Sequence, residues 1–262
     1  MAVEVFNRYE SKFLIDESVY KIIQTKLLRY MELDEYNKKH ELYTICNIYY
    51  DTKDNILIRK SLSKPKYKEK LRLRAYGVPK EDSKVYLEIK KKFCGIVNKR
   101  RTTLKLNEAY SFVETGIKPD YKEYMNKQVL NEIDYMLKFY ELEPKLYLAY
   151  DRKALFSKES RDLRITFDTN IRTRREDLKL ESGDYGTQLL EDGKWLMEVK
   201  AEKSVPLWLS KLLSENNIYK TSFSKYGKEY QRYLNSKEEM KGEVVKCLNR
   251  SSTPHQPVLQ YQ

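Results

Sequence analysis

The chain has few of the residues on which common cofactor and metal sites depend. Only 8 glycines occur in 262 residues, so a phosphate cradle built from the backbone amides of a glycine-rich loop is not expected. The two histidines, His40 and His255, argue against a zinc site and against histidine acid–base chemistry. Three widely spaced cysteines, Cys46, Cys94 and Cys247, have neither metal-ligand spacing nor the even number of a disulfide framework. They indicate a reducing compartment.

Long apolar segments are also missing. No stretch of about 18 apolar residues is present, so no membrane-spanning helix is predicted. The first residues lack the basic and apolar regions of a signal peptide. We therefore expect a cytoplasmic location, with peripheral docking on an anionic membrane left open.

Positive charge, by contrast, is abundant. The chain has 51 Lys and Arg against 39 Asp and Glu, a formal net charge of +12. This excess favours an anionic partner, which could be a nucleic acid, a phosphate compound or an acidic membrane surface. Hydrophobic residues make up 40% of the chain, which is enough for a folded core.

Four segments alternate apolar and charged residues with the period of a half-buried strand, at residues 70–74, 86–90, 163–168 and 196–200. One such strand indicates only a solvated sheet face. Four of them, rich in Arg and Lys, favour a barrel that turns its charged faces inward and its apolar faces toward covering helices. The positive side chains that line such a tunnel would repel one another unless a polyanion were bound between them.

The predicted fold is therefore α+β: an antiparallel β-barrel tunnel of about eight strands with a charged interior, flanked by helices. We expect it to occupy residues 1–236, followed by a polar, disordered tail at 237–262. The arginine-rich stretch 169–179 is expected to be a loop.

Phosphate would have to be held by side chains. Alternation places Arg8, Glu10 and Lys12 on one face of the first strand, and Arg suits phosphate because its planar fork makes paired hydrogen bonds. Glutamate repels phosphate, so the presence of Glu88 and Glu198 on the predicted inner strands has to be explained. Each glutamate either holds Mg²⁺ or Mn²⁺ against phosphate oxygens or neutralises a neighbouring Lys or Arg.

A series of short motifs carries a resemblance to a known family. In order they are Arg8-Tyr9-Glu10-Ser11-Lys12-Phe13, Ile48-Tyr49-Tyr50-Asp51-Thr52, Leu71-Arg72-Leu73-Arg74-Ala75-Tyr76-Gly77, Leu87-Glu88-Ile89-Lys90-Lys91-Lys92, Tyr150-Asp151-Arg152, Arg164-Ile165-Thr166-Phe167-Asp168, Leu196-Met197-Glu198-Val199-Lys200 and Phe223-Ser224-Lys225-Tyr226. Together they resemble the VTC domain, the polyphosphate polymerase module of the triphosphate tunnel (CYTH-like) superfamily. The likeness covers about residues 5–235.

The resemblance implies roles for particular residues. Six of them would hold phosphates during transfer: Lys12, Arg72, Arg74, Lys90, Arg152 and Lys225. Further candidates for substrate binding are Arg8, Lys70, Lys92, Arg101, Arg164, Lys200 and Lys228. Glu198 would be the principal metal ligand, with Glu10 and Glu88 as additional candidates. The wider superfamily has a glutamate where this chain has Arg8, which matches the VTC branch and argues against two-metal hydrolysis.

Three functions follow from these observations. The first is transfer of the γ-phosphate of ATP to a growing polyphosphate chain with Mn²⁺ or Mg²⁺, a reaction that needs positioning and charge neutralisation more than a protein nucleophile. The second is a metal-dependent inorganic or nucleoside triphosphatase. The third is non-catalytic binding of polyphosphate or RNA, although no aromatic–glycine RNA signature is present and no specific nucleic acid is expected. The expected partners are ATP and polyphosphate, with a membrane-protein partner and the oligomeric state left open.

Overall fold

A computed structural model describes residues 9–94, 96–159, 162–202 and 204–250, in which ten strands and six helices occur. In chain order these are β1 (Tyr9–Asp16), α1 (Glu17–Leu27), β2 (Met31–Leu33), β3 (Tyr43–Asp51), α2 (Ile56–Leu62), β4 (Tyr67–Tyr76), β5 (Lys84–Phe93), β6 (Ile96–Lys105), α3 (Leu106–Thr115), α4 (Lys127–Phe139), β7 (Glu143–Ser157), β8 (Leu163–Arg174), β9 (Thr187–Gln188), β10 (Lys194–Ala201), α5 (Leu207–Glu215) and α6 (Lys225–Arg250).

Eight of the strands form one continuous antiparallel path, in the order β1-β10-β8-β7-β3-β4-β5-β6. The short strands β2 and β9 pair with β7 and β8. The prediction of an α+β fold with about eight antiparallel strands is confirmed. Within the described residues the ladder of hydrogen bonds stays open between β1 and β6, which are the two ends of the path.

Two apolar clusters cover the outer face of the sheet. One packs α3 and α4 against β3 to β6, through residues such as Leu73, Leu87, Phe112 and Ile133. The other packs α1 and α5 against β1, β8 and β10, with Ile23 and Leu209 among its buried members. Because side chains alternate between the two faces of a strand, the residues between these apolar positions must point to the opposite, inner face.

The inner face curls round on itself. Glu10 on β1 and Lys90 on β5, which lie six strands apart along the path, bring a carboxylate oxygen and an ammonium nitrogen to 3.9 Å. A third apolar cluster fills part of the enclosed space and includes Tyr226 and Tyr230 from α6. The rest of the inner face is charged. Side chains therefore span the gap that the backbone leaves open, and the sheet encloses a tunnel.

The prediction of a loop over the arginine-rich stretch 169–179 is wrong for residues 169–174, which continue β8, and correct for 175–179. β8 continues to Arg174, after a register shift where it pairs with β7 between Ala149 and Asp151. Arg172 forms an ion pair with Asp151, and the Arg174 guanidinium lies 3.5 Å from the centre of the Tyr147 ring. These contacts let a polar sequence continue as a strand.

Residues 237–250 also differ from the prediction, which placed them in a disordered tail. Helix α6 continues to Arg250, beyond the boundary predicted at residue 236. The residues from 251 onward, and Arg8 at the other end, lie outside the described residues. None of the described helices has the length and apolar character required to cross a bilayer.

A buried carboxylate, Asp51, joins β3 to two helices. It accepts hydrogen bonds from the backbone N–H groups of Leu57 and Ile58 in the first turn of α2, at 2.8 and 2.9 Å. The Tyr226 hydroxyl of α6 donates to the same side chain at 3.3 Å. The first N–H groups of a helix have no acceptor within the helix, so Asp51 supplies acceptors for two such groups of α2.

We expect Asp51→Ala to lower the free energy of unfolding by about 3 kcal/mol, because it leaves two buried N–H groups without an acceptor. Asp54→Ala removes an exposed carboxylate three residues later and should change the value by less than about 0.5 kcal/mol. Urea unfolding of both variants is the measurement. Equal stability of the two variants would show that Asp51 does not hold α2 in place.

Candidate active site

Thirteen basic side chains share the inner face of the tunnel or reach it from α6. They are Lys12, Lys68, Lys70, Arg72, Arg74, Lys90, Lys92, Lys99, Arg101, Arg152, Arg164, Lys200 and Lys225. The carboxylates that pair with them are Glu10, Asp34, Glu88, Asp168 and Glu198. Within the described residues, these cations therefore outnumber the carboxylates that pair with them by more than two to one.

Lysines oppose one another directly across three strands. In the ladder, Lys70 of β4 pairs with Lys90 of β5, which pairs with Lys99 of β6. Lys68 and Lys92 form the next such pair on the same face. Like charges directly opposite each other destabilise a sheet, and Lys99 and Lys90 are offset only in part by Glu88 and Glu10.

Glu88 is the carboxylate at the centre of β4, β5 and β6. It is almost fully buried, and it lies 2.6 Å from Arg72 Nε and 2.7 Å from Lys99 Nζ. Burial alone would raise its pKa, but the charges of Arg72 and Lys99 outweigh burial and hold the pKa well below its usual range. Glu88 therefore stays ionised and neutralises Arg72, whereas burial lowers the pKa of its other partner, Lys99, well below the usual lysine range.

Asp168 on β8 forms the second buried centre. It receives two parallel hydrogen bonds from Arg152 of β7, at 2.6 and 2.8 Å, and one from Lys225 of α6 at 2.5 Å. Burial would raise the Asp168 pKa, but the charges of these two residues lower it. The Arg152 guanidinium is fixed by this fork-to-carboxylate geometry.

Glu198 on β10 forms the third centre and is surrounded by lysines. Its carboxylate lies 3.4 Å from Lys12 Nζ, 3.3 Å from Lys200 Nζ and 3.4 Å from Lys225 Nζ. Glu10 approaches the same Lys12 Nζ at 3.3 Å, so two carboxylates share one ammonium group. Burial raises the pKa of Glu10, but the charges of its lysine neighbours outweigh it and lower the value to about 2.

The carboxylates can supply only part of a metal site. No group of three His, Cys, Asp or Glu side chains in the described part of the chain is arranged to hold a metal ion. Glu198 and Glu10, which converge on Lys12, nevertheless offer the hard oxygen ligands that Mg²⁺ and Mn²⁺ prefer. Mg²⁺ usually takes one or two carboxylates and completes its shell with phosphate oxygens and water, and these two residues fit that pattern.

The arginines of β4 are oriented by neutral partners as well as by Glu88. Arg72 donates from Nη1 to the Tyr49 hydroxyl at 3.2 Å. Arg74 donates from Nε to Asn47 Oδ1 at 2.9 Å and from Nη2 to the Tyr150 hydroxyl at 3.0 Å. One side of each guanidinium is thus fixed, as expected for preorganised donors.

Most of the candidates from the sequence meet in this tunnel. Those on its inner face or at the start of α6 are Lys12, Lys70, Arg72, Arg74, Lys90, Lys92, Arg101, Arg152, Arg164, Lys200 and Lys225, together with Glu10, Glu88 and Glu198. Lys228 is an exposed residue of α6. Arg8 lies outside the described residues. The functional roles of all these residues stay predictions.

Other tunnel residues were not among the candidates. Asp168 belongs to the alternating segment of β8, but its role as the partner of Arg152 depends on cross-strand pairing that a single segment does not reveal. Tyr49, Tyr150 and Asn47 lie on strands that are buried on both faces, so no alternation marks their inner side. Burial alone would raise the pKa of Tyr49, but the charges of Arg72, Arg74 and Lys70 lower it to about 8.

Comparison with known proteins gives a family and a fold. The model of the VTC domain family matches residues 7–234. No curated protein matches the chain in sequence. The solved structure of a candidate adenylate cyclase from Bacillus halodurans is similar to this one, with a TM-score of 0.54. The two sequences are 14% identical, and the match covers 85% of this chain and 96% of that one.

A second solved structure gives the same fold. It is a candidate adenylyl cyclase from Hippeastrum, described as having a dominant triphosphatase activity. It is 16% identical, with a TM-score of 0.50 over 83% of this chain and 92% of that one. At these identities the two likenesses show a shared fold.

The pH dependence of anion binding depends on inner-face lysines whose pKa is lowered by burial, well below the usual range in Lys99 and by a smaller amount in two others. Burial lowers the pKa of Lys70 and of Lys200 to about 8. Below pH 8 both are protonated whether the chain is folded or unfolded, and the cost of burying their charge is fully present. Above pH 8 the folded state releases these protons, so their destabilising contribution declines as pH rises toward the ordinary lysine value.

A bound polyanion should reverse this shift, so binding above pH 8 should take up protons. We expect the affinity for tripolyphosphate to fall by about ten-fold or more between pH 7.5 and 9.5, since each proton taken up contributes up to ten-fold per pH unit. Calorimetric titration in two buffers with different ionisation heats measures the uptake. Because the ligand also titrates, the control is the double variant Lys70→Met, Lys200→Met, which should take up fewer protons. Equal uptake by the two proteins would contradict the assignment.

Proposed function

Because the chain belongs to the VTC domain family, we propose that it transfers the γ-phosphate of ATP to a growing polyphosphate chain inside its basic tunnel. The observation that carries the proposal is the excess of inner-face cations over the carboxylates that pair with them. A linear polyanion with a charge on every phosphate matches such a surface better than a single small anion.

The lysine row gives the ligand its track. Lys70, Lys90 and Lys99 stand side by side on neighbouring strands, so one chain of phosphates lying across them would contact all three. Arg72 and Arg74 follow on β4, with guanidinium groups already oriented by Tyr49, Asn47 and Tyr150. Orientation before binding reduces the entropy lost when phosphate is bound.

The transfer itself needs little covalent chemistry from the protein. A terminal oxygen of the acceptor phosphate forms a bond to the γ-phosphorus of ATP, and the bond from that phosphorus to the β–γ bridging oxygen breaks, releasing ADP. The acceptor oxygen is already anionic, so no general base is required. Charge spreads over the phosphoryl oxygens in the transition state, and Arg72, Arg74 and Arg152 would stabilise it there.

Glu198 and Glu10 would hold the divalent cation, which when bound would add to the neutralisation of phosphate charge. Lys12 and Lys225 keep the Glu198 carboxylate in place and ionised. Glu88 would act differently, because Arg72 and Lys99 lie 2.6 and 2.7 Å from its oxygens, closer than the 3.3–3.4 Å at which lysines approach Glu198. Its role in this proposal is to hold those two basic side chains in position.

The setting of the reaction would be the cytoplasm. Cys46 and Cys94 are free thiols, as in a reducing compartment.

Hydrolysis of triphosphate is the competing activity on the same tunnel. Two carboxylates meet at Lys12, and a second carboxylate beside Glu198 could orient a water molecule. Purified protein incubated with ATP and Mn²⁺ distinguishes the two reactions. We expect ADP and long polyphosphate on a gel, little early orthophosphate, and a shorter lag with pyrophosphate as primer. Release of orthophosphate in step with ADP, without polymer, would replace the polymerase proposal with a triphosphatase.

We expect Glu198→Gln to lower kcat by about 10²–10³, because it keeps the shape of the side chain but removes the charge that holds the cation. Affinity for tripolyphosphate without metal should stay the same or rise, since a repulsive charge has been removed. The control is Glu132→Gln, which removes a carboxylate that pairs with Arg100 and Lys91. If Mn²⁺ titration gives the same affinity in wild type and Glu198→Gln, the metal lies elsewhere.

A further inference from the structure

The inner face of the tunnel changes from basic to aromatic toward one end of β4 and β5. On β4 the inner-face row that contains Arg72 and Arg74 ends at Tyr76, and on β5 the row that contains Glu88 continues to Tyr86. Arg74 pairs with Tyr86 in the antiparallel ladder, so both tyrosines lie at the same end of the tunnel. At the other end both rows consist of lysines. The two ends therefore offer different chemistry to a ligand.

Two further tyrosines complete an aromatic cluster at this end, the tyrosine mouth, which consists of Tyr36, Tyr43, Tyr76 and Tyr86. Tyr36, in the turn between β2 and β3, stacks on Tyr76 with ring centroids 5.3 Å apart and planes 7° from parallel. Tyr76 and Tyr86 meet edge to face at 5.8 Å. Tyr36 is nevertheless 48% exposed and Tyr76 36% exposed. The cluster holds these two rings in place and leaves part of each accessible to a ligand.

Arg101 of β6 lies beside the tyrosine mouth. Its guanidinium lies 4.5 Å from the centre of the Tyr86 ring, and within the described residues it has neither a carboxylate partner nor a hydrogen-bond acceptor. Burial raises the pKa of Tyr36 and the charge of Arg101 opposes this rise, so the guanidinium is near that ring as well. Arg101, Tyr86 and Thr103 also line a cavity of about 380 Å³. The donors of Arg101 are therefore accessible to a bound molecule.

This combination of groups suits a nucleobase better than a phosphate. Phosphate is held by several charged donors, which the lysine and arginine rows supply and tyrosine rings do not. Every base, in contrast, has a flat π-face that stacks on aromatic side chains and on a guanidinium. The edges of bases also carry nitrogen and oxygen acceptors that arginine can reach. A nucleoside triphosphate presents both kinds of group, with the base at one end and the phosphates at the other.

We propose that the tyrosine mouth binds the base of the nucleoside triphosphate, with the base stacked on Tyr36 and Tyr76 and Arg101 donating a hydrogen bond to its edge. A strand advances about 3.3 Å per residue, so Arg74 and Arg72 follow about 7 and 13 Å from Tyr76 along β4. The phosphates attached to the base would extend toward these two arginines. This inference rests on the proposed function, since it takes ATP as the substrate.

The test compares ATP with tripolyphosphate, which has the same number of phosphates but no base. Calorimetry without divalent metal measures both affinities in the absence of turnover. We expect Tyr36→Leu and Tyr76→Leu each to bind ATP about ten-fold more weakly, the loss expected for one stacking contact, and tripolyphosphate within about two-fold of wild type. Tyr36→Phe keeps the ring and should bind both ligands within about two-fold of wild type.

Tyr135→Leu is the matched control. Tyr135 is an exposed ring of α4, the helix that covers the outer face of the sheet, so its removal should change neither affinity. The same substitution therefore removes an exposed ring inside and outside the proposed site. The Tm of each variant without ligand should stay close to that of wild type, because all three positions are exposed.

Two outcomes would overturn the inference. Wild-type affinity for ATP in both Tyr36→Leu and Tyr76→Leu would show that the base does not stack on these rings. Equal losses for ATP and tripolyphosphate would show that the rings act on the phosphates or on the fold. A loss confined to ATP, together with a wild-type protein that makes no polymer, would support the base site and reject the polymerase. Polymer formation together with equal losses would support the polymerase and reject the base site.

Discussion

Three buried carboxylates hold the tunnel together. Glu88 joins cations from β4 and β6, Asp168 joins β7 to α6, and Glu198 joins β1, β10 and α6. Each pairs with at least two buried or partly buried basic groups, so each works as a cross-link between elements far apart in the chain. Removing one partner of a buried ion pair typically costs about 3–5 kcal/mol, because the other charge remains buried and uncompensated. The inner face could not carry so many cations without them.

The carboxylates are too few to neutralise all the basic side chains of the inner face. This shortage of negative charge affects both the stability of the free protein and its affinity for anions. Lys70, Lys90 and Lys99 face one another, and burial holds the pKa of Lys70 near 8. The folded protein therefore contains repulsion that a polyanion would remove, so a ligand stabilises the fold by the same contacts through which it binds. A further carboxylate in the lysine row would relieve the repulsion and would also compete with phosphate. The geometry therefore favours phosphate binding at the expense of stability in the free protein.

The side chains that point into the tunnel could be predicted from the sequence only on strands with one apolar and one charged face. On β4, β5 and β10 the alternation is clean, and it placed the inner charges correctly. On β6, Arg100 between Lys99 and Arg101 interrupts the alternation, and the structure shows that Arg100 pairs with Glu132 of α4 on the outer face. On β3 both faces are buried, so nothing local indicated that Tyr49 and Asn47 point inward. The pairing of Asp168 depends on a neighbouring strand and so lay beyond any single segment.

Helix α6 belongs to the site as much as to the scaffold. Its first residue, Lys225, reaches both Asp168 and Glu198, and the carbonyl oxygen of Phe223 just before it accepts a hydrogen bond from Lys12 at 3.0 Å. One turn further on, Glu229 accepts two hydrogen bonds from Arg175, which lies beyond the end of β8, and this pair holds the helix against the sheet. A shift of α6 would therefore change the charge balance around Glu198 directly. Because the helix start supplies a cation shared by two of the three carboxylates, the strands alone cannot form the complete site.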